Sequence, residues 1–174
     1  MKADPAPVPK ILVLASGSGT NLQALIDATR ERDFPGEIIA VGCNKPGAFA
    51  LERAAQANLT TFVVDHTKYG SREEFDAALL AEILRHNPDL VVLAGFMRIL
   101  TSDFVRAFRG RMLNIHPSLL PAYTGLNTHQ RVLEAGDRTH GVSIHFVTEE
   151  LDGGPVIAQA EVAVAEDDTP ESLA

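Results

Sequence analysis

The sequence of 174 residues is poor in the residues from which several kinds of site are built. Its one cysteine, Cys43, excludes an internal disulfide framework and a cysteine-built zinc site. Its formal net charge is −8 and its lysines and arginines form no block, so the electrostatic attraction that drives nucleic-acid binding is missing. Its apolar runs are far shorter than the roughly 20 residues that cross a bilayer. We therefore expect a cytoplasmic protein that binds neither nucleic acid nor membranes.

The composition also sets an expectation for the number of domains. Hydrophobic residues make up 45% of the chain, which suffices for one core, so we predict a single domain over residues 1–174. Residues 1–9 contain three prolines and lack the layout of a secretory signal, which predicts a flexible tail. The Thr-Pro-Glu-Ser at residues 169–172 has the pattern of a helix start. We therefore expect a C-terminal helix that is truncated after residue 174.

Short apolar runs alternate with helical patterns along most of the chain. Strand-like runs lie at residues 11–15, 38–43, 61–64, 90–94 and 112–115. Two further runs, at residues 142–147 and 156–164, predict strands that can be antiparallel. This order predicts an α/β fold, a mostly parallel twisted sheet with helices on both faces and antiparallel strands toward the C-terminus. Such sheets bind ligands at the carboxyl ends of their strands.

A glycine-rich turn, Ser16–Asn21, joins the first strand to the first helix. Its glycines let the backbone approach an anion and the helix N-terminus offers unpaired N–H groups, so the turn can bind phosphate. Leu22 replaces the third glycine of a dinucleotide fingerprint, and Asn44 stands where an acid would bind a ribose. Thr20 and Gln23 have the spacing of a capping box. A plain tight turn explains these residues as well as phosphate binding does.

Asn114 and His116 lie two residues apart at the end of a predicted strand, so their side chains point to the same side. A carboxamide N–H can stabilise an oxyanion and an imidazole can exchange protons, which suits a tetrahedral intermediate. The two residues can equally satisfy backbone groups of the loop that follows. Asp152 precedes two glycines in an acidic turn, from which it could reach His116, although Asp-Gly-Gly is also ordinary turn chemistry.

Four segments, at residues 16–23, 94–100, 113–121 and 141–155, together resemble the folate-dependent formyltransferase family. The core His-Pro-Ser-Leu-Leu-Pro is shared by the wider family. The first two segments are more similar to the branch that formylates glycinamide ribonucleotide in de novo purine biosynthesis. The resemblance implies a Rossmann-like formyltransferase fold and transfer of a formyl group to the amine of glycinamide ribonucleotide. The co-substrate would be 10-formyltetrahydrofolate, and no metal would be needed.

The resemblance also implies which residues form the site. The catalytic residues would be Asn114, His116 and Asp152, and the residues that hold the ribonucleotide phosphate would be Gly19, Thr20 and Asn21. The folate would contact Arg72, Met97, Arg98, Ile99, Leu100, Asn114, Thr148, Glu149, Glu150, Leu151 and Asp152. Asn127 departs from the family, where histidine is common at this position. In the family, a further C-terminal helix completes the ribonucleotide site.

Three alternatives remain open from the residues. A related enzyme, such as a formyltetrahydrofolate hydrolase or a methionyl-tRNA formyltransferase, would share the catalytic core. A metal hydrolase could use histidine and carboxylate ligands, namely His116, His129, His145 and Asp152. The chain could also be a binding module without catalytic activity.

The remaining histidines are assigned by their positions. We expect surface or capping roles for His66, His86 and His140, and we leave His129 unassigned. His145 faces the opposite side of its strand from Ile144, so it is a candidate for the cleft.

Overall fold

The computed structural model of the protein describes residues 7–174, so the first six residues of the predicted tail lie outside the described residues. The strands are β1 (Lys10–Ala15), β2 (Glu37–Cys43), β3 (Thr61–Val63), β4 (Leu90–Leu93), β5 (Met112–His116), β6 (Thr139–Phe146) and β7 (Val156–Ala163). The helices are α1 (Thr20–Ala28), α2 (Phe49–Gln56), α3 (Arg72–His86), α4 (Ser102–Ala107), α5 (Thr128–Ala135) and α6 (Pro170–Leu173), with a short 3₁₀ helix at His66–Lys68.

The strands belong to one sheet of mixed direction, which confirms the predicted α/β fold class. The chain divides into two compact units, of which the first ends at Phe104 and the second spans Val105–Ala174. The expectation of a single domain over residues 1–174 stays a prediction.

The first unit contains a parallel part of the sheet with the strand order β3-β2-β1-β4. Strand β1 lies in the middle, where Val13 is paired with Val41 on one side and with Val92 on the other. Strands of a parallel sheet are covered on both faces, which explains why β1 is a continuous apolar run without alternation. Cys43 ends β2 and is fully buried, and this burial raises the pKa of its thiol to about 11.

The second unit contains the antiparallel strands in the order β5-β6-β7, which confirms the predicted change of direction. A buried hydroxyl fixes the loop that follows β5. Ser143 on β6 donates a hydrogen bond to the Ser118 carbonyl (2.6 Å) and accepts one from the Leu120 N–H (3.0 Å). The residues just after His116 are therefore held against the neighbouring strand.

The start of α1 differs from the prediction. The capping box expected from Thr20 and Gln23 does not form, because the N-cap residue is Gly19 and no side chain caps the helix. Gly19 has a φ of 70°, a left-handed conformation that favours glycine, so the helix begins directly at Thr20. The helix start predicted at residue 169 is confirmed, since Thr169 and Ser172 form a reciprocal capping box at α6.

The surface or capping role expected for His140 is wrong. Strand β6 begins at Thr139, three residues before the run used for the prediction, so His140 lies inside the strand. Its side chain is almost fully buried and its Nε2 lies 2.8 Å from the Nδ1 of His129. Burial lowers the pKa of both rings, and the proximity of His129 lowers that of His140 further.

Candidate active site

Four polar side chains meet within the second unit. The Nδ1 of His116 lies 3.5 Å from Oδ1 of Asp152, and the Nε2 of His145 lies 3.8 Å from the same oxygen. The Nδ2 of Asn114 lies 3.1 Å from the Nε2 of His145. The side chains of the two histidines and of Asp152 are almost fully removed from solvent. The structure thus brings together the three predicted catalytic residues and adds His145, which sequence reasoning left as a candidate for the cleft.

The register of β5 and β6 explains why these side chains meet. Asn114 is paired directly with His145 across the two strands, so the two side chains project from the same face. His116 is two residues further along β5 and therefore lies on that face as well. This neighbour relation depends on strand register, which explains why sequence spacing alone did not connect Asn114 with His145.

Asp152 reaches the cluster from the turn after β6. Its backbone has a φ of 53°, in the left-handed region, and its Oδ2 accepts a hydrogen bond from the Gly125 N–H (2.8 Å). Two residues later the turn passes close to β6, where a Cβ on Gly154 would lie 1.8 Å from the Phe146 carbonyl oxygen. Only glycine fits such an approach, so Gly154 lets the turn carry Asp152 toward the histidines.

The hydrogen bonds require a proton on one ring nitrogen of each histidine. His116 Nε2–H donates to the carbonyl of Tyr123 (2.9 Å), which leaves Nδ1 facing Asp152. His145 Nδ1–H donates to the carbonyl of Phe146 (3.0 Å), so its Nε2 is free to accept a hydrogen bond from the Asn114 amide. The amide of Asn114 is therefore oriented by His145 and keeps a second N–H.

The predicted phosphate turn lies in the first unit, at the end of β1. Thr20 and Asn21 are exposed, whereas Gly19 is buried against α2, where a Cβ would lie 2.8 Å from Cα of Ala50. Arg53 on α2 donates from Nε to the Ser18 carbonyl (2.8 Å), so a cation is attached to the turn. The turn has the exposed helix N-terminus that an anion site requires.

The residues predicted to contact folate are spread over both units. In the first unit, Met97 and Ile99 are 68% and 61% exposed, and the guanidinium of Arg98 lies over the ring of Phe75 with 5.6 Å to the centroid. Arg72, the first residue of α3, is exposed, and its guanidinium lies 3.8 Å from the Glu73 carboxylate. Leu100 is half-buried.

A cavity of about 280 Å³ adjoins the predicted folate turn of the second unit. Thr148 and Glu149 line it, while Glu150 and Leu151 are exposed and do not. The other lining residues are Val105, Arg106, Arg109, Gly110, Phe146, Val147 and Pro155. Sequence reasoning did not place Phe146 and Val147 at a cavity, because an apolar residue at a strand end has the same pattern whether it packs in the core or lines a cavity.

A larger cavity, of about 460 Å³, lies in the first unit between β3, the 3₁₀ helix and α3. None of the predicted site residues lines it.

Within residues 7–174, no three or more His, Cys, Asp or Glu side chains are grouped as metal ligands would be. His129, one of the four ligands considered for a metal hydrolase, is hydrogen-bonded to His140 instead. None of the described helices combines the length and the apolar character needed to cross a membrane.

Comparison with known proteins identifies the class. The profile of the formyl transferase family matches residues 9–174, so the chain belongs to that family. The chain is 54% identical to the phosphoribosylglycinamide formyltransferase of Escherichia coli over 163 residues, which are 94% of this chain and 77% of that protein. It is 50% identical to the trifunctional purine biosynthetic protein adenosine-3 of Chironomus tentans over 96% of this chain, but it spans only 12% of that longer protein.

Solved structures show the same fold. The chain matches the glycinamide ribonucleotide transformylase 1 of Symbiobacterium toebii with a TM-score of 0.93 and 46% identity, covering 97% of this chain and 80% of that one. It matches the phosphoribosylglycinamide formyltransferase of Coxiella burnetii with a TM-score of 0.88 and 50% identity, over 96% of this chain and 78% of that one.

Proposed function

We propose that the chain transfers the formyl group of 10-formyltetrahydrofolate to the amine of glycinamide ribonucleotide, a step of de novo purine biosynthesis. The observation that carries this proposal is the contact of His116 with Asp152 beside Asn114, in a chain that is 54% identical to an enzyme named for this activity. We further propose that it acts in the cytoplasm as one formyltransferase domain, with two small molecules as its substrates.

The ribonucleotide is proposed to bind through its phosphate at Gly19, Thr20 and Asn21. The first N–H groups of α1 have no carbonyl partner within the helix and can donate to phosphate oxygens. The guanidinium of Arg53, bonded to the Ser18 carbonyl, adds a positive charge near this turn in a protein whose net charge is −8. A phosphate at this turn fixes the position of the substrate, so that its amine is presented to the formyl group.

The folate is proposed to contact residues 97–100 and Arg72 of the first unit, and residues 148–152 of the second. Exposed apolar side chains, such as those of Met97 and Ile99, suit the aromatic parts of a folate. The cavity beside Thr148 and Glu149, of about 280 Å³, has room for a flat bicyclic ring, and Arg106 and Glu149 form an ion pair at its wall (2.9 Å).

The reaction follows from the groups in the polar cluster. The amine nitrogen attacks the formyl carbon, and the C=O electron pair moves to oxygen, which becomes an oxyanion. The second N–H of Asn114 and a protonated His116 stabilise that charge, while Asp152 stabilises the imidazolium. The oxyanion then re-forms the C=O bond as the bond from the formyl carbon to the folate nitrogen breaks, and the proton lost by the amine is transferred to that nitrogen, through water.

The geometry adds one requirement. His116 Nε2–H donates to the Tyr123 carbonyl and Nδ1 faces Asp152, so both ring nitrogens already have protein partners. Substrate can receive a hydrogen bond from His116 only if the bond to Tyr123 is shared or exchanged. His145 needs no such change, because its proposed role is to keep the Asn114 amide oriented.

The test measures products with and without the acceptor. Purified protein is mixed with 10-formyltetrahydrofolate, alone or with glycinamide ribonucleotide, and tetrahydrofolate and formylated ribonucleotide are quantified by chromatography and mass spectrometry. We expect both products in equal amounts, and only when the ribonucleotide is present. Release of formate without an acceptor would instead identify a hydrolase, and no turnover in either mixture would leave a binding module.

A further inference from the structure

The segment 97–101, the last part of the connection from β4 to α4, is hydrogen-bonded to a side chain at each end. The N–H of Met97 donates to Oγ of Ser16 (2.8 Å), and the N–H of Thr101 donates to Oδ2 of Asp76 (2.6 Å). Both acceptors are buried, with Ser16 4% and Asp76 3% exposed. The segment has no regular secondary structure, so these two bonds fix backbone positions that no helix or strand ladder fixes.

Ser16 is oriented to accept the hydrogen bond from Met97. Its hydroxyl donates to Oδ1 of Asn44 (2.6 Å), and Asn44 is itself buried. With its single proton used in this way, the hydroxyl presents lone pairs to the Met97 N–H. The Ser16 backbone N–H also donates to the Gly95 carbonyl (3.1 Å), which adds a bond just before the segment.

Asp76 is an unusual residue for the buried face of α3. Phe75, Leu79 and Ile83 form the apolar side of this helix, yet Asp76 is buried beside them. Its Oδ1 has no hydrogen-bond partner among the described residues. Burying a carboxylate with half of its acceptor capacity unused is unfavourable, so packing alone does not account for this residue. The charge-assisted hydrogen bond that Asp76 accepts from the Thr101 N–H better explains why a carboxylate is buried at this position.

Between its two fixed ends, the segment exposes apolar side chains. Met97 and Ile99 are 68% and 61% exposed, whereas Arg98 between them lies over the ring of Phe75. Successive side chains thus point to opposite sides of the segment, with Arg98 against Phe75 of α3 and Met97 and Ile99 toward solvent. Exposed apolar side chains on a fixed backbone suit contact with the apolar part of a ligand.

We propose that Ser16 and Asp76 are positioning residues for the folate, which hold Met97 and Ile99 in the arrangement that binds it. The inference rests on the proposed function, because that function assigns residues 97–100 to the folate. Neither residue touches the reacting atoms. Their loss should therefore weaken folate binding and leave the use of bound substrate nearly unchanged, since the bonds are equally present before and during the reaction.

The test measures KM separately for the two substrates. In Asp76→Ala we expect KM for 10-formyltetrahydrofolate to rise by roughly tenfold, and kcat and KM for glycinamide ribonucleotide to stay within about twofold. Asp76→Asn keeps an acceptor for the Thr101 N–H and should restore the folate KM to within about threefold of wild type. Glu82→Ala removes an acid from the same helix without touching the segment and should leave both KM values unchanged.

Direct binding of a non-reactive folate analogue, measured by calorimetry, keeps this inference separate from the proposed function. If wild-type protein binds the analogue but transfers no formyl group, the proposed function fails and the inference is still tested by the analogue affinity of Asp76→Ala. An unchanged affinity in a folded Asp76→Ala overturns the inference, as does a wild type that binds no analogue.

Ser16→Ala provides the second variant in case Asp76→Ala does not fold. We expect its analogue affinity to fall by roughly fivefold to tenfold, with Ser16→Thr closer to wild type because the hydroxyl is kept. Equal loss in Ser16→Ala and Ser16→Thr would contradict a role for the hydrogen bond to Met97.

Discussion

The two units of the chain contain different kinds of candidate site residues. In the first unit, the candidate contacts at residues 19–21 and 97–100 follow parallel strands, and they offer backbone N–H groups and exposed apolar side chains. In the second unit, the candidates are ionisable or amide side chains on adjacent antiparallel strands and the turn that follows. The carboxyl end of a parallel strand leads into a loop and a helix N-terminus, which suit binding, whereas antiparallel register places side chains opposite each other, which suits chemistry.

This comparison predicts different outcomes for substitutions in the two units. Removal of a side chain of the polar cluster in the second unit should act mainly on kcat, whereas changes to backbone conformation in the first unit should act on substrate binding and stability. Substitutions of His116, Gly19 and His145 test that division, and a pH measurement on the buried His129–His140 pair concerns stability alone.

The largest effect is expected for His116→Ala. Loss of the imidazole removes one partner of Asp152 and one source of oxyanion stabilisation, so kcat should fall by roughly 10²- to 10⁴-fold. Steady-state kinetics measure this, with circular dichroism as a check on folding. His86→Ala, a histidine of the first unit that stacks on Phe62, is the control and should keep the wild-type kcat. A kcat within threefold of wild type for His116→Ala would contradict the proposed mechanism.

Gly19→Ala tests the backbone side of the comparison. The left-handed φ costs roughly 1–2 kcal/mol for a residue with a Cβ, and the close approach to Ala50 adds roughly 1–3 kcal/mol. Urea unfolding should show the sum, together with a raised KM for the ribonucleotide. Gly47→Ala is the matched control, since Gly47 has a φ of 75° and open space where a Cβ would lie, so only the conformational cost of roughly 1–2 kcal/mol applies. Equal destabilisation of the two variants would show that contact with Ala50 has no effect.

His145→Ala should reduce kcat by roughly tenfold, because the Asn114 amide loses the acceptor that orients it. A tenfold loss corresponds to about the free energy of one hydrogen bond. The measurement is a double-mutant cycle with Asn114→Ala. We expect the double variant to lose less than the product of the two single losses, since both act through the same amide. Independent, multiplicative losses would indicate that His145 acts elsewhere, for example on Asp152.

The smallest effect concerns pH and the His129–His140 pair. Burial lowers the pKa of both rings, so the folded protein binds fewer protons than the unfolded chain once the pH falls below about 6.5. Stability should therefore decrease on acidification through this window and be unaffected above it. Urea unfolding at pH 7.5 and pH 5.5 measures the change, which should be smaller in His140→Gln. The same decrease in wild type and variant would exclude the pair as its source.

Sequence reasoning was most successful where local patterns decide the structure. The apolar runs located the seven strands of the described residues to within a few residues. These features depend on hydrophobic periodicity, which neighbouring residues carry. The cap of α1 was missed because backbone conformation at Gly19, and not a side chain at Thr20, determines where the helix begins.

The candidate site could be predicted only in part. Asn114 and His116 were grouped because strand periodicity relates residues two apart. The link between Asn114 and His145 spans 31 positions and depends on the register of two strands, which no local pattern specifies. The buried state of His140 was missed for a related reason, since it depends on where β6 begins. The roles of the predicted site residues stay proposals, now with defined geometry.

The burial of Cys43 has a practical consequence for experiments. Burial raises the pKa of this thiol to about 11 and removes it fully from solvent, so in the folded protein it is protonated at neutral pH and shielded from reagents. Since the chain has no second cysteine, thiol labelling reports the exposure of this one position, by local or global opening of the structure around β2. The rate at which Cys43 is labelled therefore measures local unfolding within the unit that is proposed to bind the ribonucleotide.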